Sequence, residues 1–183
     1  MAAGLLRESL PLVLGGLASC ALFRLNLVLL REWAGEQEAS YYSAALDLSL
    51  SGQLVAGVLL TVFFPSISRA LSSDNQDGMT RLDHFTRLCG LLGLSAAFCL
   101  CIGAPWWIEW IYGSHFKPSV VVLQITAWFL PMTFLAQGRG IWLLHTQRTK
   151  IEFFYILVGV VINLALARLL IPRGGASGAA WAF

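Results

Sequence analysis

Residues 10–30 read LPLVLGGLASCALFRLNLVLL, a run whose one charged side chain is Arg24. A helix needs about 20 predominantly apolar residues to cross a bilayer, and this run supplies that length. An arginine in the middle of such a helix costs about 2.5–3.5 kcal/mol on insertion scales, so it requires water, a charged partner or a ligand. The run therefore predicts a transmembrane helix. The function of this helix depends on whether Arg24 faces water, a charged partner or a ligand.

The composition of the whole chain is typical of a membrane protein. Of its 183 residues, 57% are hydrophobic and 12% are charged, whereas a soluble domain has about 25% charged residues. The apolar runs are continuous rather than alternating, which favours helices over a transmembrane barrel. A net charge of +2 is too small to indicate a nucleic-acid partner. We therefore predict an all-α, polytopic membrane helix bundle.

The apolar runs and the turn-forming segments between them predict five complete transmembrane helices and the start of a sixth. The predicted spans are residues 10–31, 41–71, 85–111, 119–145 and 150–171, followed by a partial span at 177–183. Pro131 is expected to break the fourth span, and Pro172–Gly178 is expected to form a loop. Small residues that permit close helix approach are expected at Gly52, Gly57, Gly90, Gly93 and Gly103.

The distribution of basic residues predicts the orientation of the chain in the membrane. With five crossings, one side of the membrane receives Arg7, Arg69, Arg81, Arg87, Arg148 and Lys150. The other side receives Arg31, Lys117 and Arg173. Because positive charge favours the cytoplasmic side, we predict a cytoplasmic N-terminus.

Six polar side chains within the spans are candidates for lining a substrate cavity: Arg24, Asp47, Arg139, Asn26, Gln137 and Asn163. Arg24 lies about 9 Å from the outer end of its span, and Asp47 lies at a similar depth in the next span. Adjacent antiparallel helices would bring these two together, either as a structural ion pair or as charges lining a water-filled cavity. A guanidinium binds phosphate bidentately, so Arg24 and Arg139 suit an anionic lipid headgroup.

The remaining features of the spans have simpler interpretations. Ser40, Ser43, Asp47 and Ser51 recur at three- and four-residue spacing and so share one helix face. Asn163 and Gln137 are more often interhelical hydrogen-bonding groups than ligands, and Arg168 is expected to extend toward the interface. No catalytic triad, paired carboxylates, HExxH motif, phosphate loop or metal-ligand spacing occurs. The sequence therefore predicts neither an enzyme nor a metal or other cofactor.

Five short motifs also follow one another at the spacing of successive helices. They are Pro11, Tyr42-Ser43-Ala44-Ala45, Phe64-Pro65-Ser66-Ile67-Ser68, the Tyr112–Phe116 turn and the Pro172–Ala180 turn. Together they resemble bacterial polysaccharide flippases of the multidrug/oligosaccharidyl-lipid/polysaccharide exporter superfamily. In many members an acidic residue stands where this chain has Asn26. The substitution argues against cation coupling by this helix and leaves Asp47 as the acidic candidate in mid-membrane.

The resemblance implies that residues 1–183 form the second six-helix lobe of a flippase, incomplete in its last helix. A first lobe or a partner chain would complete the pathway. The implied function is alternating-access translocation of a polyprenyl-pyrophosphate-linked oligosaccharide across the bacterial inner membrane, for surface polysaccharides such as O-antigen. The implied partners are this lipid-linked substrate and membrane lipids. The alternatives are a multidrug or peptidoglycan-precursor exporter of the same superfamily and a non-transporting membrane scaffold subunit.

Overall fold

The computed structural model describes residues 24–72, 76–146 and 149–182, and all regular elements in these ranges are helical. The helices are α1 (residues 24–34), α2 (Glu36–Ser72), α3 (Gln76–Tyr112), α4 (Ser119–Ala127), α5 (Phe129–His145) and α6 (Thr149–Ala182). Within these described ranges, four stretches are long and apolar enough to cross a membrane: Glu36–Leu71, Gly78–Tyr112, Ser119–Leu143 and Phe154–Ala182. The predicted all-α, multi-pass class is confirmed. Residues 10–23 of the first predicted span, including Pro11, lie outside the described ranges.

Helices α2 and α3 extend beyond the spans predicted for them, residues 41–71 and 85–111. Each has 37 residues, which corresponds to about 55 Å of helix, whereas the hydrocarbon core is about 30 Å thick. The additional turns carry charged residues, including Glu36 and Glu38 at the start of α2. The ends of both helices are therefore suited to the headgroup region and water rather than to hydrocarbon.

The fourth predicted span is divided into α4 and α5 at Trp128. Pro131 has no N–H, so the Ala127 carbonyl cannot receive the usual helical hydrogen bond from the residue four places later. The Trp128 N–H instead donates to the Ile125 carbonyl at 3.3 Å, a tighter turn. The break predicted from Pro131 is confirmed, and it falls on the N-terminal side of the proline.

The chain divides into two compact units. Unit 1 comprises residues 1–42 and 147–183, so its described part is α1, the first turns of α2, and α6. Unit 2 comprises residues 43–146 and contains the rest of α2 together with α3, α4 and α5.

Unit 2 is built around one apolar core to which three helices contribute one face each. Its buried residues are separated by three, four, seven, eight or eleven positions, the spacings that place side chains on one helix face. On α2 the core contains Ala56, Ile67 and Leu71, on α3 Leu82, Phe85, Cys89 and Ala97, and on α5 Leu130, Phe134 and Ile141. Beside this core, the buried Ser49 hydroxyl of α2 shares a 2.8 Å hydrogen bond with Thr126 of α4.

Glycines allow α3 and α5 to approach closely in unit 2. A Cβ atom added at Gly93 would lie 2.9 Å from the Phe134 Cβ and 3.0 Å from the Pro131 Cα. From the opposite direction, Gly138 of α5 lies against the Thr86 side chain of α3. Because real Cβ contacts are longer than this, both positions require a residue without a side chain.

The other predicted contact glycines divide into two groups. Gly52 lies against Leu130, and Gly90 lies against Leu135, so both are confirmed as contact points. A Cβ added at Gly57 would meet nothing within 4 Å in the part of the chain described, and one at Gly103 would meet Trp107 of its own helix. Close helix approach at Gly57 and Gly103 therefore stays a prediction.

Helix α6 of unit 1 reverses direction at Gly175, which has non-helical angles of φ 53° and ψ −130°. The Asn163 side-chain Nδ2 donates to the Ala182 carbonyl at 2.7 Å, although 19 residues of continuous helix would separate the two by about 28 Å. The segment after Gly175 therefore folds back along the segment before it, and Gly178 lies against the Leu170 carbonyl.

The predicted loop over Pro172–Gly178 is therefore too long, because the non-helical backbone angles occur at Gly175. A residue in the left-handed region can turn the chain at one position, and glycine adopts that region without a steric penalty. The reversal therefore needs Gly175 alone, and the residues on both sides of it are assigned to helix.

We predict that Gly93→Ala destabilises the protein because the added methyl group collides with Phe134 and the Pro131 backbone. Overpacking of this kind costs about 1–3 kcal/mol, which lowers Tm by about 5 °C in a chain of this size. Thermal unfolding of the purified protein in detergent measures this. Gly57→Ala is the matched control, because its methyl group would meet no described atom within 4 Å and Tm should not fall. Equal Tm values for the two variants would contradict the close packing of α3 on α5.

Candidate functional site

Charged side chains lie on exposed faces of helices that have membrane length. Asp47 on α2, Arg139 on α5 and Arg168 on α6 are all exposed and all lie within membrane-length stretches. Arg24, the first described residue of α1, is exposed as well. A charge that faces hydrocarbon is costly, so these faces suit water, headgroups or other protein.

The exposed face of α2 in unit 2 is lined by small polar groups around a single carboxylate. Asp47 and Ser51 are exposed and Ser43 is half-buried, as their shared face predicts. Asp47 interacts electrostatically with Tyr112, at the end of α3. The Ser51 hydroxyl donates to the Leu48 carbonyl of its own helix at 2.7 Å, which leaves its oxygen able to accept a further hydrogen bond. This face can therefore offer one negative charge and a hydroxyl oxygen to a polar ligand.

Arg139 extends from α5 next to Gly138, the position at which α5 lies closest to Thr86. Gln137 is half-buried, and its Nε2 donates to the Thr133 carbonyl of α5 itself at 3.4 Å. Among the described residues this hydrogen bond of Gln137 lies within α5, whereas the prediction was a bond between helices. A long side chain reaches a main-chain carbonyl one turn away in its own helix more easily than it reaches a neighbouring helix.

Unit 1 encloses neutral polar groups rather than charges. Asn26 and Tyr42 are fully buried, and the Asn26 carboxamide adjoins the Tyr42 hydroxyl. Neither side chain has a hydrogen-bond partner of good geometry within the described ranges. Leaving a buried polar group unpaired costs about 1–3 kcal/mol. Unit 1 therefore buries a carboxamide beside a phenol.

Asn163 holds the reversed end of α6. Its Nδ2 donates to the Ala182 carbonyl, whereas its Oδ1 is buried without a partner among the residues described. The interhelical hydrogen bond predicted for Asn163 is confirmed, because the two segments of α6 are antiparallel neighbours. The same residue remains a candidate for the substrate cavity, as a prediction.

Glu38 stabilises the reversal of α6 from the first turns of α2. Its Oε2 accepts the Ala176 N–H at 2.8 Å, and a Cβ added at Gly175 would lie 2.6 Å from the same carboxylate oxygen. A carboxylate is favourable at the start of a helix, where unpaired N–H groups and the helix dipole attract negative charge. No local sequence pattern indicates this role of Glu38, which lies 138 residues from its partner.

The six candidate residues are distributed over both units. Unit 1 contains Arg24, Asn26 and Asn163, and unit 2 contains Asp47, Gln137 and Arg139. The contact predicted between Arg24 and Asp47 joins different units and stays a prediction. In the described ranges, no group of three or more histidine, cysteine, aspartate or glutamate side chains is arranged to hold a metal ion.

The chain matches the model of a known protein family along nearly its whole length. The family is described as "Lipid II flippase MurJ", and the match covers residues 3–183. No curated protein matches the chain, and no solved structure matches it. The family match includes all the helices described above.

We predict that Glu38→Ala lowers Tm by several degrees, because it removes a charged acceptor from a helix start and leaves the Ala176 N–H unpaired. Loss of such a cap costs about 0.5–2 kcal/mol, and thermal unfolding in detergent measures it. Glu36→Ala is the control, since Glu36 forms an ion pair with Arg31 in which both side chains are more than half exposed, and exposed pairs contribute about 0–1 kcal/mol. A larger fall in Tm for Glu36→Ala would contradict the role of Glu38.

Proposed function

Because the chain belongs to the MurJ lipid II flippase family, we propose that it takes part in moving a polyprenyl-pyrophosphate-linked peptidoglycan precursor across the bacterial inner membrane. The family match carries this proposal. It supports the peptidoglycan-precursor alternative better than the O-antigen oligosaccharide that the motifs first suggested. The chain is a multi-pass membrane protein, which suits a substrate that has a hydrocarbon tail.

The charges of the candidate site suit the headgroup of such a substrate. A pyrophosphate needs cationic partners along its route, and a guanidinium can bind it through two parallel hydrogen bonds. Arg24 and Arg139 are exposed guanidinium groups on two different helices. We assign the pyrophosphate contact to them, and we assign to Asp47 the neutralisation of Arg24 when no substrate is bound.

The buried amides take a different role in this proposal. Asn26 is fully buried and Asn163 is 6% exposed, so neither reaches a ligand outside unit 1 in this conformation. Asn163 positions the end of α6 through its bond to Ala182. We therefore assign the pyrophosphate contact to the exposed charges and a positioning role to Asn163, and a place for Asn26 and Asn163 in the substrate cavity stays a prediction.

The resemblance and the charge distribution support two further parts of the proposal. We place residues 1–183 in the second lobe of the transporter, so that a first lobe or a partner chain supplies the rest of the pathway. We also place the N-terminus in the cytoplasm, because the loops with more arginine and lysine residues are then cytoplasmic.

The substrate class is tested by the binding of two lipid-linked ligands to the purified chain, measured by native mass spectrometry. One ligand is lipid II, and the other is a polyprenyl-pyrophosphate carrying an O-antigen oligosaccharide. Because the two share their pyrophosphate and their tail, a difference in affinity reports on the headgroup. We expect lipid II to bind at least tenfold more tightly. Tighter binding of the O-antigen ligand would contradict the proposed substrate.

We predict that Arg24→Ala weakens lipid II binding by about tenfold or more, because a hydrogen bond to a charged group contributes about 1.5–3 kcal/mol. The same mass-spectrometric titration measures it, with thermal unfolding as the check on folding. Arg168→Ala is the matched control, since it removes the same exposed charge from a position expected near the interface. Equal weakening by the two substitutions would show that overall charge, rather than Arg24, attracts the substrate.

A further inference from the structure

We propose that unit 2 contains a site for an anionic phospholipid where the end of α2 meets the start of α3. A cavity of about 800 Å³ lies there, between the last turns of one helix and the first turns of the next. Its walls include Phe63, Ser66, Ile67, Arg81, His84 and Phe85. These residues combine an apolar floor with a polar rim, the combination that a lipid headgroup and the top of its acyl chains require.

The floor of the cavity is apolar and firmly packed. Ile67 and Phe85 are each 3% exposed and belong to the core of unit 2. The Phe63 and Phe85 rings are tilted against each other with centroids 5.5 Å apart. Side chains anchored in a core keep their positions, so the floor offers a preformed apolar surface to an acyl chain.

The rim of the cavity offers hydrogen-bond donors to a phosphate. Arg81 and Ser66 are exposed and line the same cavity. The His84 Nδ1 lies 2.8 Å from the Thr80 main-chain carbonyl. Since a carbonyl only accepts, this nitrogen donates, and the bond holds the imidazole against its own helix. The rim therefore offers the Arg81 guanidinium as a cationic donor and the Ser66 hydroxyl as a neutral donor.

The position of the cavity along the helices is that of the headgroup region. Helix α3 is about 55 Å long, so its first turns extend beyond a hydrocarbon core of about 30 Å. Arg81 lies three residues after Gly78, where the membrane-length part of α3 begins. Arg69 and Arg87 lie at the same end of the two helices. Basic pockets between transmembrane helices on the cytoplasmic side are suited to anionic headgroups.

The charge at this end of unit 2 favours an anionic lipid over a zwitterionic one. The Asp83 carboxylate pairs with Arg87 at 2.9 Å, so its charge is offset within that pair. A headgroup with a net negative charge then approaches Arg81 without an opposing cation of its own, whereas a choline group would bring one. We therefore assign the cavity to a phospholipid such as phosphatidylglycerol. The assignment does not depend on which substrate the protein transports.

The test is the binding of short-chain phosphatidylglycerol and phosphatidylcholine to the purified full chain in detergent, measured by native mass spectrometry. We expect phosphatidylglycerol to bind more tightly, and Arg81→Gln to weaken its binding about fivefold, the effect of one basic side chain near an anionic headgroup. Arg69→Gln removes the same charge near the cavity without changing its walls, and it should change binding less than twofold.

A second variant tests the cavity independently of charge. Ser66→Phe places a ring in the cavity from an exposed position, so it should abolish phosphatidylglycerol binding without lowering Tm. Three results would overturn the proposal: equal affinities for the two lipids, equal weakening by Arg81→Gln and Arg69→Gln, or unchanged binding by Ser66→Phe. Competition by millimolar inorganic phosphate would also overturn it, because a free anion would then occupy the site without an acyl chain.

Discussion

The cost of placing a charge in hydrocarbon restricts which helix faces of this protein can meet lipid. On α2, small and apolar side chains pack into unit 2, while Asp47 and Ser51 lie on the exposed side. On α3 the exposed side chains include Leu91 and Ile102, which are 66% and 71% exposed and suit contact with acyl chains. The exposed polar face of α2 therefore needs a different environment, and a water-filled substrate route meets that need.

Two local arrangements hold the helices close enough to create these faces. In unit 2, Gly93 and Gly138 allow α3 and α5 to approach closely. The resulting van der Waals packing holds the helices together, because lipid provides no hydrophobic driving force between helices. In unit 1, Gly175 turns α6 back on itself, and Glu38 pairs with the first N–H after the turn. Both arrangements depend on single residues. A side chain at these glycines would collide with its neighbours, and an apolar group in place of Glu38 could not accept the hydrogen bond.

The helices of this protein could be predicted from sequence because continuous apolar runs and proline act locally. Pro131 indicated the break in the fourth span for that reason. The reversal at Gly175 was missed, since a segment rich in glycine and proline is typical of a longer loop. The pairing of Glu38 with Ala176 joins residues 138 positions apart, and no local pattern encodes it. The motifs identified the superfamily but not the substrate within it, because helix-end motifs report on the fold rather than on the headgroup.

The central interpretation is that the face of α2 with Asp47 and Ser51 lines a water-filled path for the substrate. Labelling of Ser51→Cys by a membrane-impermeant maleimide, in a chain whose native cysteines are replaced, tests it directly. We predict that this cysteine reacts in membrane vesicles and that lipid II slows the reaction, while a cysteine introduced by Ile102→Cys on the lipid-facing side of α3 does not react. Failure of Ser51→Cys to react, or equal labelling at both positions, would contradict the interpretation.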